Sequence, residues 1–209
     1  YRNGKLALGV TRGDGLYGDD ITANLRTVRA IPLELNLKHP PELLEVRGEA
    51  YMANTDFDAL NTKLAAAGEK SLPNARNATA GTLKQLDPRV VAQRPVNAVF
   101  YAVGKCEGIE FESHAEMLKA LAGFGLPTQK KWWLCADIAE VLRVYRREIV
   151  ADYDEARDLR RQLPYEIDGI VLKVNRYRDC ARIPSKTRAP GYAIVHKPIP
   201  WITPAETVL

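Results

Sequence analysis

Glu166-Ile167-Asp168-Gly169-Ile170-Val171-Leu172-Lys173-Val174 is the stretch on which the reading of this chain turns. Its β-branched and apolar residues predict a strand over Glu166–Asn175. A strand alternates its side chains, so Glu166, Asp168, Ile170 and Leu172 share one face. Ile167, Gly169, Val171, Lys173 and Asn175 share the other. A lysine and a glycine on an otherwise apolar face suit a ligand lying close to the backbone, with the ammonium neutralising its phosphate. A second strand, Gly191–Lys197, likewise ends in a lysine beyond an apolar run. Two lysines approaching one phosphoryl group from neighbouring strands are what transfer at a phosphate requires, because developing oxyanion charge needs fixed cations.

Outward from that pair of strands, the chain alternates strand and helix signals. Between the two strands lies a basic loop holding Arg176, Arg178, Arg182, Lys186 and Arg188. Upstream, Asp137-Ile138-Ala139-Glu140 caps a helix running past Arg146 towards Arg161, and Ser113-His114-Ala115-Glu116 is a capping box for a helix ending near Gly123 and Gly125. Lys131–Cys135 reads as a short strand between them, and Val96–Val103 as a central strand. Asn77–Leu86 reads as a helix ended by Asp87-Pro88, Thr55–Ala67 as a helix stopped by Gly68, and Leu43–Met52 as a strand. Asp19 or Asp20 caps a short helix through Val28, with Ile21, Leu25 and Val28 on one face. Tyr1–Thr11 reads as a hairpin turning at Asn3-Gly4. Thr11–Gly18 is a loop, since three glycines in six residues forbid a regular element. The mixture of antiparallel-looking strands and intervening helices gives an α+β class.

Composition bounds the answer without deciding it. With 209 residues the chain can bury a real core, and 30 Lys plus Arg against 26 Asp plus Glu give +4, a slight lean towards polyanions. No apolar run is long enough to span a bilayer. Cys106, Cys135 and Cys180 are widely spaced and odd in number, forming neither a metal-ligand pair nor a disulfide framework, as expected in a reducing cytoplasm. The opening Tyr1-Arg2-Asn3-Gly4-Lys5 reads as the middle of a strand entering a turn, so upstream sequence is expected.

Three further segments are odd for scaffolding. They are the glycine loop with Arg12 and Asp14, the charged strand Glu45-Val46-Arg47-Gly48-Glu49, and the run from Asn74 to Lys84. Each has a plain reading: a simple loop, an edge strand with a solvated face, and surface charges on a helix. Arg143, Arg146 and Arg147 read as a solvated helix face. The residues by themselves reach an α+β domain that is a candidate nucleotide-binding enzyme.

Taken together and in order, five blocks resemble the NAD-dependent DNA ligases of bacteria. They are Thr11-Arg12-Gly13-Asp14-Gly15, Leu44-Glu45-Val46-Arg47-Gly48-Glu49, the stretch from Arg76 to Pro88, Leu163-Pro164-Tyr165-Glu166-Ile167-Asp168-Gly169, and Lys173-Val174-Asn175. The resemblance covers nearly the whole chain. It implies the adenylation domain, with a nucleotidyltransferase (ATP-grasp-like ligase) fold of antiparallel sheets flanked by helices over residues 1–200. Residues 201–209 would begin a linker to an OB-fold.

The chemistry implied is adenylyl transfer. A lysine attacks the α-phosphate of NAD and releases nicotinamide mononucleotide; AMP then passes to the 5′-phosphate of a nick, and the 3′-hydroxyl displaces it to seal the strand during replication and repair. By resemblance Glu49 holds the ribose hydroxyls, and Tyr101 stacks on adenine with Val171 across the ring. Lys173 and Lys197 contact the α-phosphate, and Asp168 organises the metal or the reacting groups. Arg12 and Arg160 lie near the nucleotide, and Arg76 and Lys84 near nicked DNA. Magnesium is required; zinc is expected only in a C-terminal region outside this chain. A cytoplasmic monomer acting on nicked duplex is implied.

The chain also departs from the family. The nucleophile's Lys-x-Asp-Gly motif occurs nowhere in it, Lys84 stands where arginine is usual, Asn74-Ala75 replaces Asn-Pro, and His196-Lys197-Pro198-Ile199-Pro200 replaces Tyr-Lys-Phe-Pro. Lysine at 84 keeps the charge and loses the bidentate fork. A degenerate paralogue that binds NAD or DNA without catalysis therefore stays open on the residues alone. An ATP-dependent ligase or capping enzyme is disfavoured by the Thr11–Gly15 loop and the block around Gly81.

Overall fold

A computed structural model describes residues 1–185 and 190–197, which fall into two compact units divided after Trp132. The mixed helix-and-strand class is as expected, with two small antiparallel sheets, one in each unit. No helix among the described residues is long and apolar enough to cross a membrane.

The first unit is built on β1 (Leu43–Tyr51) paired with β2 (Asn97–Glu107). The Asn3-Gly4 turn forms as read: both residues have positive φ, 47° and 78°, and Arg2 and Lys5 exchange both backbone hydrogen bonds at 2.9 Å. The hairpin does not continue as a strand, because the amide of Leu6 donates to Leu33 and the carbonyl of Gly9 accepts from Ile21. The helix expected up to Val28 shrinks to α1 (Thr22–Leu25). Asp20, not Asp19, supplies the carboxylate, accepting from the amide and hydroxyl of Thr22 at 2.9 and 2.7 Å.

Helix α2 (Asn54–Ala66) stops at Gly68 as expected. Helix α3 (Ala75–Leu83) starts two residues earlier than read, because the side-chain Oδ1 of Asn74 accepts from the amide of Asn77 at 2.7 Å and caps it. It ends three residues early, at Leu83, and the side-chain amide of buried Asn24 donates to the carbonyls of Leu83 and Gln85. Asp87-Pro88 begins a helix as well as ending one: α4 (Pro88–Ala92) has Asp87 as its cap and proline at its first turn. Helix α5 (His114–Gly123) carries the expected capping box, with Ser113 accepting from Glu116 and Glu116 from Glu112. The core of this unit gathers Leu44 and Met52 of the β1 region, Val91, Phe100, and Met117, Leu121 and Leu126 in and after α5. The strand expected at Lys131–Cys135 does not form. Pairing in this stretch is limited to an isolated parallel bridge of Thr128 with Phe100, whose amide donates to Pro127 at 2.7 Å, and it does not continue past Thr128.

The second unit begins with α6 (Ile138–Val144), capped by Asp137 through the amide of Glu140 at 2.8 Å. The long helix expected towards Arg161 is broken. A π-helical turn covers Tyr145–Ile149, and Ala151, Asp152 and Tyr153 then take left-handed φ values of 45°, 54° and 66°. The break buries the adjacent pair Ile149-Val150 against Leu159, which one helix face could not do for residues ten apart with a polar stretch between. Helix α7 (Leu159–Gln162) follows, and then β3 (Ile170–Lys173), shorter than the expected Glu166–Asn175. The basic loop contains α8 (Tyr177–Cys180), and β4 (Ala193–His196) closes the ladder. Lys186, Arg188, Pro198 and the linker reading at 201–209 lie outside the described residues.

Candidate functional site

In the first unit the candidate residues stand on a ladder with two irregularities. Leu44 pairs with Cys106 and Val46 with Val103; Arg47 pairs with Ala102 and Gly48 with Phe100. Tyr101 is therefore the extra residue of the second bulge, the kind of position where a strand re-aims a side chain. Glu49 pairs with Val99, two ladder positions away. The close approach that sets this register depends on Gly48, where a methyl group would come within 2.5 Å of the Val99 carbonyl and 2.8 Å of the Phe100 ring.

The acids of β1 are in different electrostatic states. Glu45 accepts from Arg47 at 2.8 Å and from the amide of Lys105 at 3.2 Å, and the Arg47 hydrogen bond holds its carboxyl below the usual range. The Glu49 side chain is exposed and makes no hydrogen bond or ion pair to the described residues. It is the acid left able to receive hydroxyl donors.

Asp14 proves to be the organiser of the glycine loop. Its carboxylate accepts from the amides of Leu16 and Tyr17, both at 2.8 Å, and these bonds lower its pKa. Gly13 has φ +54°, and any side chain there would overlap the Tyr17 carbonyl. The loop closes through the amide of Thr11 donating to Asp19 at 3.0 Å, and Asp19 also holds the ammonium of Lys84 at 2.9 Å. Arg12 and Lys84 are thus brought to one edge. The Arg12 side chain is exposed and has no ion pair among the described residues. Arg76 is exposed on the first turn of α3.

In the second unit β3 and β4 pair in register: Ile170 with His196, Val171 with Val195, Leu172 with Ile194, and Lys173 with Ala193. The period-two expectation applies only to Ile170–Lys173, since Glu166, Asp168 and Asn175 lie outside the strand. Ile170 packs against the Ile149–Leu159 cluster, while Val171 is 56% exposed and Val195, directly across, is 63% exposed. Gly169 lies so close to β4 that a methyl there would meet the His196 carbonyl at 2.5 Å and the Lys197 Cα at 3.2 Å. One face of the ladder therefore carries two open valines, with Lys173 at one end and exposed Lys197 beside Gly169 at the other. Burial pulls the Lys173 ammonium below its ordinary value of 10.5, so the charge is poorly hydrated and gains from an anion. Asp168 is exposed just before this face.

Arg160 is held by a buried carboxylate. Asp158 is fully buried and its two oxygens accept from Nε and Nη2 of Arg160 at 2.9 and 2.8 Å; Arg160 is 17% exposed. The same carboxylate accepts from the amide of Arg160 and caps α7. Burial pulls the Asp158 carboxyl upward, but the hydrogen bonds and charge of Arg160 outweigh it and the net shift is downward. Asp158, Val195 and Asn24 are not marked out by the sequence reading. An acid two residues before a candidate arginine is the available signal for the first, and the apolar run before Lys197 for the second.

The face of β3–β4 thus carries apolar surface between two lysines, a candidate seat for a ligand with a ring and a phosphate. The comparisons with known proteins give the family. Over residues 1–200 the chain matches the family described as NAD-dependent DNA ligase adenylation domain, and it belongs to that family. It is 45% identical over 197 residues to the DNA ligase of Methylacidiphilum infernorum (isolate V4), covering 94% of this chain and 27% of that protein. The DNA ligases of Geotalea uraniireducens (strain Rf4) and Pseudomonas putida (strain W619) are 44% and 46% identical over the same share of this chain, and 28% and 24% of their own length is covered. The chain thus spans about a quarter of the length of the curated relatives it matches.

Proposed function

We propose that this chain supplies the nucleotide-binding part of an NAD-dependent DNA ligase, holding the adenylate through transfer from NAD to an enzyme lysine and on to the 5′-phosphate of a nick. The observation that carries the reading is the β3–β4 face, where Val171 and Val195 are open to solvent and Lys173 is a partly desolvated cation. In the first unit Tyr101 offers a ring for adenine and Glu49 an acceptor for the ribose hydroxyls; in the second, Val171 offers apolar surface to a base. Lys173 and Lys197 stabilise negative charge on the α-phosphate as the bond to nicotinamide mononucleotide breaks. Arg12 and Arg160 contact the nucleotide, and Arg76 and Lys84 the DNA strand. The attacking lysine of a Lys-x-Asp-Gly motif is not in this sequence, so binding and charge stabilisation are the roles assigned to these residues.

Magnesium fits this donor set. Among the described residues no three His, Cys, Asp or Glu side chains gather as ligands. Magnesium commonly keeps its waters and binds through substrate phosphates with one or two carboxylates, a part that Asp168 would take. Bound there, the ion would neutralise phosphate charge. The fold we assign is that of nucleotidyltransferases, with residues 1–200 as the functional domain and 201–209 leading to an OB-fold. The working form is a cytoplasmic monomer on nicked double-stranded DNA.

Grafting tests the reading. This chain replaces the matching 197 residues of the Methylacidiphilum infernorum DNA ligase, and intact mass is measured after incubation with NAD and magnesium, with ATP as control. A gain of one AMP from NAD alone is expected, and its loss in the Lys173→Ala graft. A folded graft that gains no AMP, or a Lys173→Ala graft that gains it normally, contradicts the assignment.

A further inference from the structure

The charge of the chain is unevenly placed. Residues 176–190 contain five basic side chains, Arg176, Arg178, Arg182, Lys186 and Arg188, and one acid, Asp179, a local balance of +4. The whole chain has 30 basic and 26 acidic residues, so the remainder holds 25 of each and is neutral. The excess noted for the whole chain is therefore the property of one connection, the one joining β3 to β4.

The described part of that connection is ordered at its base. Buried Cys180 donates its thiol hydrogen to the Val174 carbonyl at 3.3 Å, and the Val174 amide donates to Tyr192 at 3.0 Å. Helix α8 and the turn after it are closed by backbone bonds from Cys180 to Arg176, Ala181 to Tyr177 and Ile183 to Cys180. Arg176, Arg178 and Arg182 are exposed on this frame. Their charge is poorly compensated. Arg176 and Arg178 share Asp179 at 3.8 and 3.9 Å, beyond hydrogen-bonding distance, and Arg182 has no acid within ion-pair reach among the described residues. Three guanidinium groups on a pre-formed turn, facing solvent without firm partners, are suited to a row of phosphates.

We propose that Arg176, Arg178 and Arg182 form a contact with the phosphate backbone of duplex DNA, separate from the Arg76–Lys84 region. The inference rests on the ligase reading for its choice of polyanion. The connection leaves β3 just beyond Lys173, so a strand held here enters the unit that carries the proposed phosphate site. The contact is to backbone and adds affinity without reading sequence.

Salt dependence of DNA binding tests it. The chain and its variants are titrated with a fluorescently labelled nicked duplex at several salt concentrations. The slope of log affinity against log salt should fall by about 0.9 for each phosphate no longer neutralised, hence by up to about 2.7 in Arg176→Gln/Arg178→Gln/Arg182→Gln. The matching Arg→Lys triple should keep the slope. So should Lys63→Gln/Lys70→Gln/Lys119→Gln, which removes the same charge from exposed sites elsewhere. Single substitutions, each worth about 0.9, give the same reading should the triple variant not fold. An unchanged slope in the arginine variants, or an equal drop in the lysine control, overturns this contact alone. A wild-type chain that fails to bind the duplex at low salt overturns the DNA reading beneath it as well.

Discussion

The ladder of β1 with β2 and the ladder of β3 with β4 are both two-stranded and antiparallel, and they use their apolar residues in opposite ways. Along β1–β2, Leu44, Ala98 and Phe100 are buried, and the unit's core extends from them to Val91, Met117 and Leu121. Along β3–β4, Ile170 alone joins the local cluster; Val171 and Val195 are more than half exposed on one face, and Ile194, paired with Leu172, is exposed on the other. Apolar surface committed to a core stabilises the fold; apolar surface left open beside cations is available to a ligand. The first ladder is a scaffold whose second register shift falls at Tyr101, and the second is a short ladder with one face that we propose as the nucleotide surface.

The largest effects that could break this contrast are on stability. Leu44→Ala should cost about 2–5 kcal/mol in urea unfolding, through the transfer energy of the deleted atoms and a residual cavity. Val195→Ala should stay within about 0.5 kcal/mol. Equal costs would mean that the second ladder is also core.

Asp158→Ala should cost about 3 kcal/mol, the low end for breaking a buried pair because Arg160 keeps an exposed edge. Since the Asp158 carboxyl is held below its ordinary 3.8, its contribution is present above that pH and is lost as pH falls through the depressed value. Acid unfolding of the wild type should therefore be steeper than that of Asp158→Asn.

Glycines sharpen the comparison further. Gly48→Ala should cost about 1–3 kcal/mol through collision with Val99 and Phe100. Gly169→Ala, which meets the backbone of His196, should instead show mainly as weakened nucleotide binding, because it displaces Lys197 from the platform. Calorimetric titration with AMP beside thermal unfolding separates the two. The smallest effect is on pH dependence. AMP affinity should decline as pH rises through the lowered Lys173 value, before the ordinary lysine range, and Lys173→Arg should move that decline to higher pH.

How much of this is legible in the residues follows from the same contrast. Local signals read correctly: the Asn3-Gly4 turn, the caps at Ser113 and Asp137, and the alternation that turns Val171 and Lys173 away from Ile170. Where a distant partner decides the outcome, the reading fails. The pairing that does form near Lys131–Cys135 is a single bridge of Thr128 to Phe100, which does not extend to those residues. The long helix after Asp137 is interrupted because Ile149-Val150 and Leu159 must meet in one cluster, which neither caps nor propensity announce. Asp87-Pro88 reads as a stop, yet the same two residues cap and start α4. Of the candidate site, the lysines and Glu49 are visible as charges in apolar or alternating surroundings. Asp158 is not, because a carboxylate buried beneath its own arginine looks in sequence like one more charge on a polar stretch.

The most direct measurement is calorimetric titration of the chain with AMP, wild type against Lys173→Met, with thermal unfolding of both. Removing a charged partner of phosphate should weaken binding roughly ten- to a hundredfold, the equivalent of about 1.5–3 kcal/mol, while leaving unfolding nearly unchanged. Equal affinity in the two proteins would contradict the assignment of the β3–β4 face as the platform for the nucleotide phosphate.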